Sequence, residues 1–424
     1  MSQYYSSSRY YSQPRKPKNK LRKNIGTKVI CVGFVALTIV GSLLYFWPVP
    51  KIEAQPAIVN YQTEQPATIN WPNAKQSAIG IAGYGVMKES DNQQPLPTAS
   101  MAKIFTALMV VKAKPLKVGE EGPKIEINTA DVNLMNEYIN KLGSYFPVHN
   151  GQVLTEEEAL KALLIVSANN IADKLAVWAY GSSEAYVQQA NEYFKAQGLT
   201  GTHISDASGF SPQTVSTASD MVMATQMLMN DPVLSSIVSM KDAIISGTTV
   251  HNTNGLLGSD GVVGVKTGNT DEAKGCFVIA RNVKLAEDKE VTLLAVVMGA
   301  NTVPEAMLSA KQLTVQAQSS IKYRNILPKG TIVTNYQTPW GESVDVVTSQ
   351  DVEMLAWPGA EIEPKLKIRS LSANETGMKE VGVLYTAIGN QKHETPVQLS
   401  KELNNPPVGW RLAGRYTSRV FGSS

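Results

Sequence analysis

The sequence predicts an α+β protein: a helical layer beside an antiparallel sheet, then a small all-β unit, with a transmembrane helix near the N-terminus. Three observations carry that prediction. Val29 to Trp47 is a run of 19 mostly apolar residues without a charge, close to the roughly 20 that span a bilayer as a helix. Between Ala78 and Ile321, capped apolar helices are followed by three closely spaced apolar strands, and strands joined by short turns pair antiparallel. After Pro328 come short strands at regular spacing, the pattern of a small sandwich or barrel. A chain of 424 residues has room for two or three domains, each with its own core.

The net charge of +3 conceals an asymmetry. Residues 1–28 hold Arg9, Arg15, Lys16, Lys18, Lys20, Arg22, Lys23 and Lys28 and no acid. Setting these eight aside leaves 31 basic residues against 36 acidic ones, a net charge of about −5 for the rest. A nucleic-acid partner would therefore rest on the tail alone, and none is expected. All eight precede the apolar run, which places the N-terminus in the cytoplasm and the remainder outside the cell membrane. Tyr45, Phe46 and Trp47 suit an interfacial aromatic belt on the far side. A cleaved signal peptide has a shorter apolar core ending in small residues; this run ends in Tyr-Phe-Trp-Pro, so an uncleaved single-pass anchor is expected.

The expected divisions are a basic tail (1–28, its first 13 residues polar and disordered), the anchor (29–47), a spacer (48–75), a catalytic domain (76–322), a β-rich domain (328–412) and a short tail (413–424). The spacer reading rests on Pro48, Pro50, Pro56, Pro66 and Pro72. Cys31 lies in the span and Cys276 in the body, so no disulfide is expected. His149, His203, His251 and His393 are scattered without ligand spacing, so neither a metal nor a cofactor is expected.

Within the body, Ala78 to Lys88 reads as one strand. Thr98 is a candidate N-cap for a helix running through Ser100, Lys103 and the apolar stretch to Val111. Residues 114–154 read as mostly connecting structure, with a short strand at Lys124 to Ile127. Thr155 and Glu158 form a capping box for a helix that runs into Ser167-Ala168-Asn169-Asn170, followed by a second helical pattern through Ile171, Leu175 and Trp178. Helices follow at Glu184 to Ala196, ended by Gly198, and at Ala218 to Met229. His203, Asp206 and Ser208 sit in a turn-rich loop (201–216) and read as turn formers, since one loop does not supply the geometry of a triad. Gly261 to Asn269, Cys276 to Asn282 and Val291 to Met298 are the meander, and Thr302-Val303-Pro304-Glu305 opens a long helix.

The Ser100 helix admits two readings. Its lysine can snorkel to solvent while the serine assists the cap. Alternatively a helix apolar on all sides is buried, and burial lowers a lysine's pKa until a neutral amine can act as base. Two further motifs bear on the choice: the Ser167-Ala168-Asn169 corner, and Lys266-Thr267-Gly268 on a strand whose glycines permit close approach of a ligand. Ser-x-x-Lys, Ser-x-Asn and Lys-Thr-Gly in this order form the motif set of penicillin-binding proteins and class A β-lactamases. The chemistry this motif set implies is acyl transfer, with Ser100 as nucleophile, Lys103 as its base if its amine is neutral, and Ser167 as proton relay to the leaving group. Asn169 would orient Lys103 and a substrate amide, and Lys266 and Thr267 would receive a terminal carboxylate. The backbone N–H groups of Ser100 and Asn269, beside Gly268, would hold the oxyanion, each donor contributing about 3 kcal/mol.

Residues 76–322 resemble the serine D-Ala-D-Ala carboxypeptidases, the low-molecular-mass penicillin-binding proteins, over Pro97–Leu108, Leu163–Ala172, Thr202–Ser211, Asn252–Leu257 and Gly264–Thr270. The segment after Pro328 is similar to their small C-terminal domain. The resemblance implies a five-stranded antiparallel sheet with the active site between it and the helices. It also implies removal of the terminal D-alanine of peptidoglycan stem peptides through an acyl-enzyme, and covalent inhibition by β-lactams. Two departures stand out. The family's C-terminal amphipathic anchor has only a short, mildly amphipathic counterpart at Gly414 to Ser424, and the arginine that often follows the Gly-Ala strand end is absent after Gly299-Ala300. A class A β-lactamase would need a deacylating acid among Glu156, Glu157 and Glu158, which read as a helix start. A D,D-endopeptidase or transpeptidase of the same fold, and a cell-wall peptide-binding protein without turnover, are the remaining alternatives.

Overall fold

A computed structural model describes the chain except residues 2, 4–10, 13–19, 60, 62–64, 66, 374–378 and 415–424. Most of the basic tail and the end of the C-terminal tail thus lie outside the described residues. Helix α1 spans Lys20–Phe46, starting nine residues before the expected anchor, and its Gly26–Phe46 stretch is apolar and long enough to cross a membrane, with none of it buried against the protein.

The expected single strand at Ala78 to Lys88 is a hairpin, β1 (Gln76–Ile81) and β2 (Gly85–Glu89). Gly83 and Gly85 take φ of +84° and +95° at its turn, a backbone region that glycine enters without steric cost. Helix α2 (Lys103–Ala113) follows a 3₁₀ turn at Ala99–Ala102. Then come α3 (Thr129–Asn140), α4 (Glu156–Leu164), α5 (Asn169–Tyr180), α6 (Ser183–Ala196), α7 (Ala218–Asn230) and α8 (Pro232–Ser239). Helix α3 falls where connecting structure was expected; its signal is the capping box of Asn128 and Asp131. Strands β3 (Val262–Thr270), β4 (Lys274–Ala286) and β5 (Lys289–Ala300) form the meander, and α9 (Val303–Ser320) follows, capped by Thr302.

These strands make one five-stranded sheet in the order β2-β1-β5-β4-β3, antiparallel throughout. Strand side chains alternate between faces, and both faces are covered. Ala78, Val278, Ala280, Leu294 and Val296 pack against Phe105, Leu160, Leu163, Leu175, Met221 and Leu228 of the helical layer. Ile79, Ile81, Phe277, Ile279, Leu293 and Val297 pack against Ala306, Ala310, Leu313 and Ala317 of α9. Double coverage explains why β1, β4 and β5 read as nearly continuous apolar runs, without the polar alternation of a half-exposed sheet. Strand β3 is an edge, and that edge meets the 3₁₀ turn before α2.

The C-terminal part is all-β, with a second antiparallel five-stranded sheet built from Ile332–Gln337, Ser343–Thr348, Gln391–Leu399, Glu380–Ile388 and Ile362–Ile368 in that order. The proline-rich segment expected to act as a spacer is extended but docked on this unit. Ile52, 1% exposed, exchanges backbone hydrogen bonds of 2.9 Å with Leu371, and Gln55 and Ile58 donate to Asn335 and Val333 at 2.9 and 2.8 Å. Prolines favour extended backbone, and an extended segment with free N–H groups can join a sheet edge.

Candidate active site

Ser100 sits in the 3₁₀ turn, not in the first α-turn. Thr98 makes no cap hydrogen bond there; its hydroxyl donates to the Thr214 carbonyl at 3.2 Å. The tighter turn has a consequence. Residues i and i+3 eclipse in a 3₁₀ helix, so Lys103 stands directly over Ser100, and its Nζ lies 2.9 Å from Ser100 Oγ. The same nitrogen donates to Asn169 Oδ1 at 2.6 Å and to the Ser208 carbonyl at 2.8 Å. Lys103 is completely buried, and burial lowers its pKa to about 7, opposed by the charges of Asp206 and Asp173. The side chain does not snorkel; it turns inward.

Two glycines let the walls close on this turn. A Cβ at Gly209, whose φ is +72°, would lie 1.9 Å from the Ala99 carbonyl oxygen. At Gly268 a Cβ would lie 3.1 Å from the Thr98 carbonyl and 3.2 Å from Ala99 Cβ. Glycine at 268 thus lets strand β3 lie against the turn without displacing its neighbours, which brings the Lys266–Asn269 stretch alongside the turn that holds Ser100.

The Ser167 corner links α4 to α5. Ser167 takes φ of +66°, and the Asn169 N–H donates to the Ser144 carbonyl at 2.8 Å. The Ser167 residue is 4% exposed, and Asn169 is bound to Lys103. Lys266 is also buried, and its pKa is driven well below the ordinary value, first by burial and then by the neighbouring Lys103. Its Nζ donates to the Thr267 carbonyl at 3.2 Å.

The sequence reading missed Thr253. Its hydroxyl lies 2.8 Å from that of Thr267, so two hydroxyls flank the Lys-Thr-Gly strand. The adjacent Asn252 and Asn254 carry local hydrogen bonds that hold this loop. The three consecutive glutamates are accounted for elsewhere. Glu158 closes the capping box with Thr155, Glu157 pairs with Lys161 at 2.9 Å, and Glu156 is buried next to Gly122.

The arrangement has parts that an acyl-transfer site would need: a hydroxyl 2.9 Å from a buried amine, a second buried lysine, and a strand edge beside the turn that holds the serine. A family model described as D-alanyl-D-alanine carboxypeptidase matches residues 73–302. The chain is 26% identical over 333 residues to D-alanyl-D-alanine carboxypeptidase DacF of Bacillus subtilis, covering 75% of this chain and 82% of that one. It is 30% identical over 225 residues to D-alanyl-D-alanine carboxypeptidase DacD of Escherichia coli, covering 52% and 56% of the two chains. Penicillin-binding protein 5 from Haemophilus influenzae has a similar fold, with a TM-score of 0.59 at 20% identity over 80% of this chain and all of that one.

Proposed function

We propose a reaction for this chain from one premise: it belongs to the D-alanyl-D-alanine carboxypeptidase family. The reading is a membrane-anchored serine D,D-carboxypeptidase that removes the terminal D-alanine from peptidoglycan stem peptides. The observation that carries it is the Lys103 amine, buried and held 2.9 Å from Ser100 Oγ. A lysine with a pKa near 7 is neutral often enough at physiological pH to accept a proton.

In the first step Ser100 Oγ attacks the carbonyl of the last peptide bond while its proton passes to Lys103. The backbone N–H groups of Ser100 and Asn269 receive the developing oxyanion. The C–N bond then breaks, a proton reaches the departing amine through Ser167, and D-alanine leaves. Water hydrolyses the Ser100 ester, Lys103 again acting as base, and the shortened peptide is released. Lys266 and Thr267 receive the substrate's terminal carboxylate, and Asn169 holds Lys103 and the substrate amide. β-Lactams acylate the same hydroxyl. The helix at Gly26–Phe46 and the basic residues before it support an anchor with a cytoplasmic N-terminus and an extracytoplasmic catalytic domain.

The test pairs labelling by a fluorescent penicillin with D-alanine release from a pentapeptide ending in D-Ala-D-Ala. Both are expected in the wild type, and both should vanish in Ser100→Ala. Label retained by Ser100→Ala, or none on the wild type, would overturn the mechanism. Labelling without D-alanine release would overturn the carboxypeptidase reading.

A further inference from the structure

The loop holding His203, Asp206 and Ser208 is more than a turn. His203 is joined to it through its backbone, exchanging hydrogen bonds of 2.9 and 2.8 Å with Val215, and its side chain is exposed. Asp206 is the hub. Its Oδ2 accepts from the Ser208 hydroxyl at 2.7 Å and from the N–H groups of Ser208, Phe210 and Ser211 at 3.3, 3.0 and 3.4 Å. Its Oδ1 accepts from the Thr214 hydroxyl. An aspartate that gathers donors on both sides of Gly209 curls the loop tightly, and two consecutive carbonyls then face α2. The Ala207 carbonyl accepts from Thr106 Oγ1 at 2.6 Å, and the Ser208 carbonyl accepts from Lys103 Nζ at 2.8 Å.

The Ser208 carbonyl has a chemical task. A neutral amine has two N–H bonds and one lone pair. Asn169 Oδ1 and the Ser208 carbonyl, at 2.6 and 2.8 Å, can only accept, so they take both N–H bonds. The lone pair is then left for Ser100 Oγ. We infer that Asp206 is a positioning residue of the reaction: by folding the loop it seats the Ser208 carbonyl on Lys103, which aims the amine's lone pair at the nucleophile. This inference rests on the reading of Lys103 as the base.

The carboxylate also acts through its charge. The charges that bear on Lys103 are those of Asp206 and Asp173, which favour its protonated form; the charge of Lys103 in turn lowers the pKa of the neighbouring Lys266. Tyr138 donates to Asp173 at 2.6 Å, and the Tyr186 hydroxyl lies 2.7 Å from Thr106 Oγ1. Both tyrosines are held above the ordinary phenol pKa, chiefly by burial, so they bring no charge. Removing the Asp206 charge should make Lys103 easier to deprotonate.

The test measures the acylation rate constant for a fluorescent penicillin against pH on the full chain, for wild type, Asp206→Asn and Ser208→Ala, with thermal unfolding alongside. Asp206→Asn should acylate about tenfold more slowly on the plateau, with its acid limb displaced to lower pH. Ser208→Ala keeps the carbonyl and the charge; it should slow acylation by less and leave the limb in place. A wild-type rate in Asp206→Asn, or a lower rate with an unmoved limb, overturns the inference; the second result marks a purely structural residue. If Asp206→Asn does not fold, Thr214→Val decides. It removes one donor to the hub, and acylation unchanged in that variant would likewise overturn the inference. Wild-type labelling in the same series tests the underlying reading separately.

Discussion

Lys103 Nζ lies 2.6 Å from Asn169 Oδ1, although the two residues stand 66 positions apart on different helices. The contact joins α2 to the corner that starts α5, and it holds a buried amine against two acceptors, Asn169 Oδ1 and the Ser208 carbonyl, and the Ser100 hydroxyl. Burial is the main reason the lysine's pKa falls to about 7; with Lys103 as the proposed base, desolvation of this one side chain sets the pH at which acylation should switch on.

The acylation rate follows from that shift. Below about 7 the amine is protonated and cannot take the Ser100 proton; above it the base is free. The rate constant for penicillin acylation should therefore rise about tenfold per pH unit below 7 and level off above it. Lys103→Arg cannot be deprotonated at any accessible pH. It should lose about 10²–10⁴-fold in rate and show no limb near 7, which stopped-flow acylation across pH 5–9 would measure.

Thr253 borders the strand proposed to receive the substrate carboxylate. Its hydroxyl is 2.8 Å from that of Thr267, and one such hydrogen bond contributes about 1 kcal/mol. Thr253→Val is expected to lower kcat/KM for a D-Ala-D-Ala peptide about fivefold, mostly through KM. Thr267→Val should cost more, because it removes the hydroxyl proposed to meet the substrate carboxylate. Steady-state kinetics on both variants checks the order.

The N-terminal region makes a prediction about where the chain can be cut. A protein starting at residue 48 should leave the membrane fraction and keep its labelling by penicillin. One starting at 76 also loses Ile52 and Ile69, both buried. Burying each such side chain stabilises by about 1.5–3 kcal/mol, so its Tm should fall by at least about 5 °C. Fractionation and differential scanning calorimetry of the two proteins distinguish the outcomes.

Much of this arrangement is legible in the sequence. Thr155 and Glu158 announce α4, Thr302 and Pro304 announce α9, and the continuous apolar runs of β4 and β5 announce a sheet covered on both faces. The misses share a cause. Helix α3 follows a stretch of polar turns, and its stripe of Val132, Met135 and Tyr138 is too thin to register without the core it packs on. The hairpin at residues 76–89 reads as one strand because strand alternation does not mark a turn when both of its arms are apolar. Residues 48–75 carry prolines whether they run free or dock, and only the free edge of the C-terminal sheet decides which.

The same division holds at the nucleophile. Residue type and local spacing alone place Ser100 one turn from Lys103, put Ser167 and Asn169 at a helix corner and set Lys266-Thr267-Gly268 on a strand, because these depend on neighbours within a few positions. Whether Lys103 is buried or a solvated cation depends on what covers it, and it is buried by Asn169, the Ser208 carbonyl and strand β3, which come from 66 to more than 150 residues away. Desolvation is a property of the assembled core, and no local pattern encodes it.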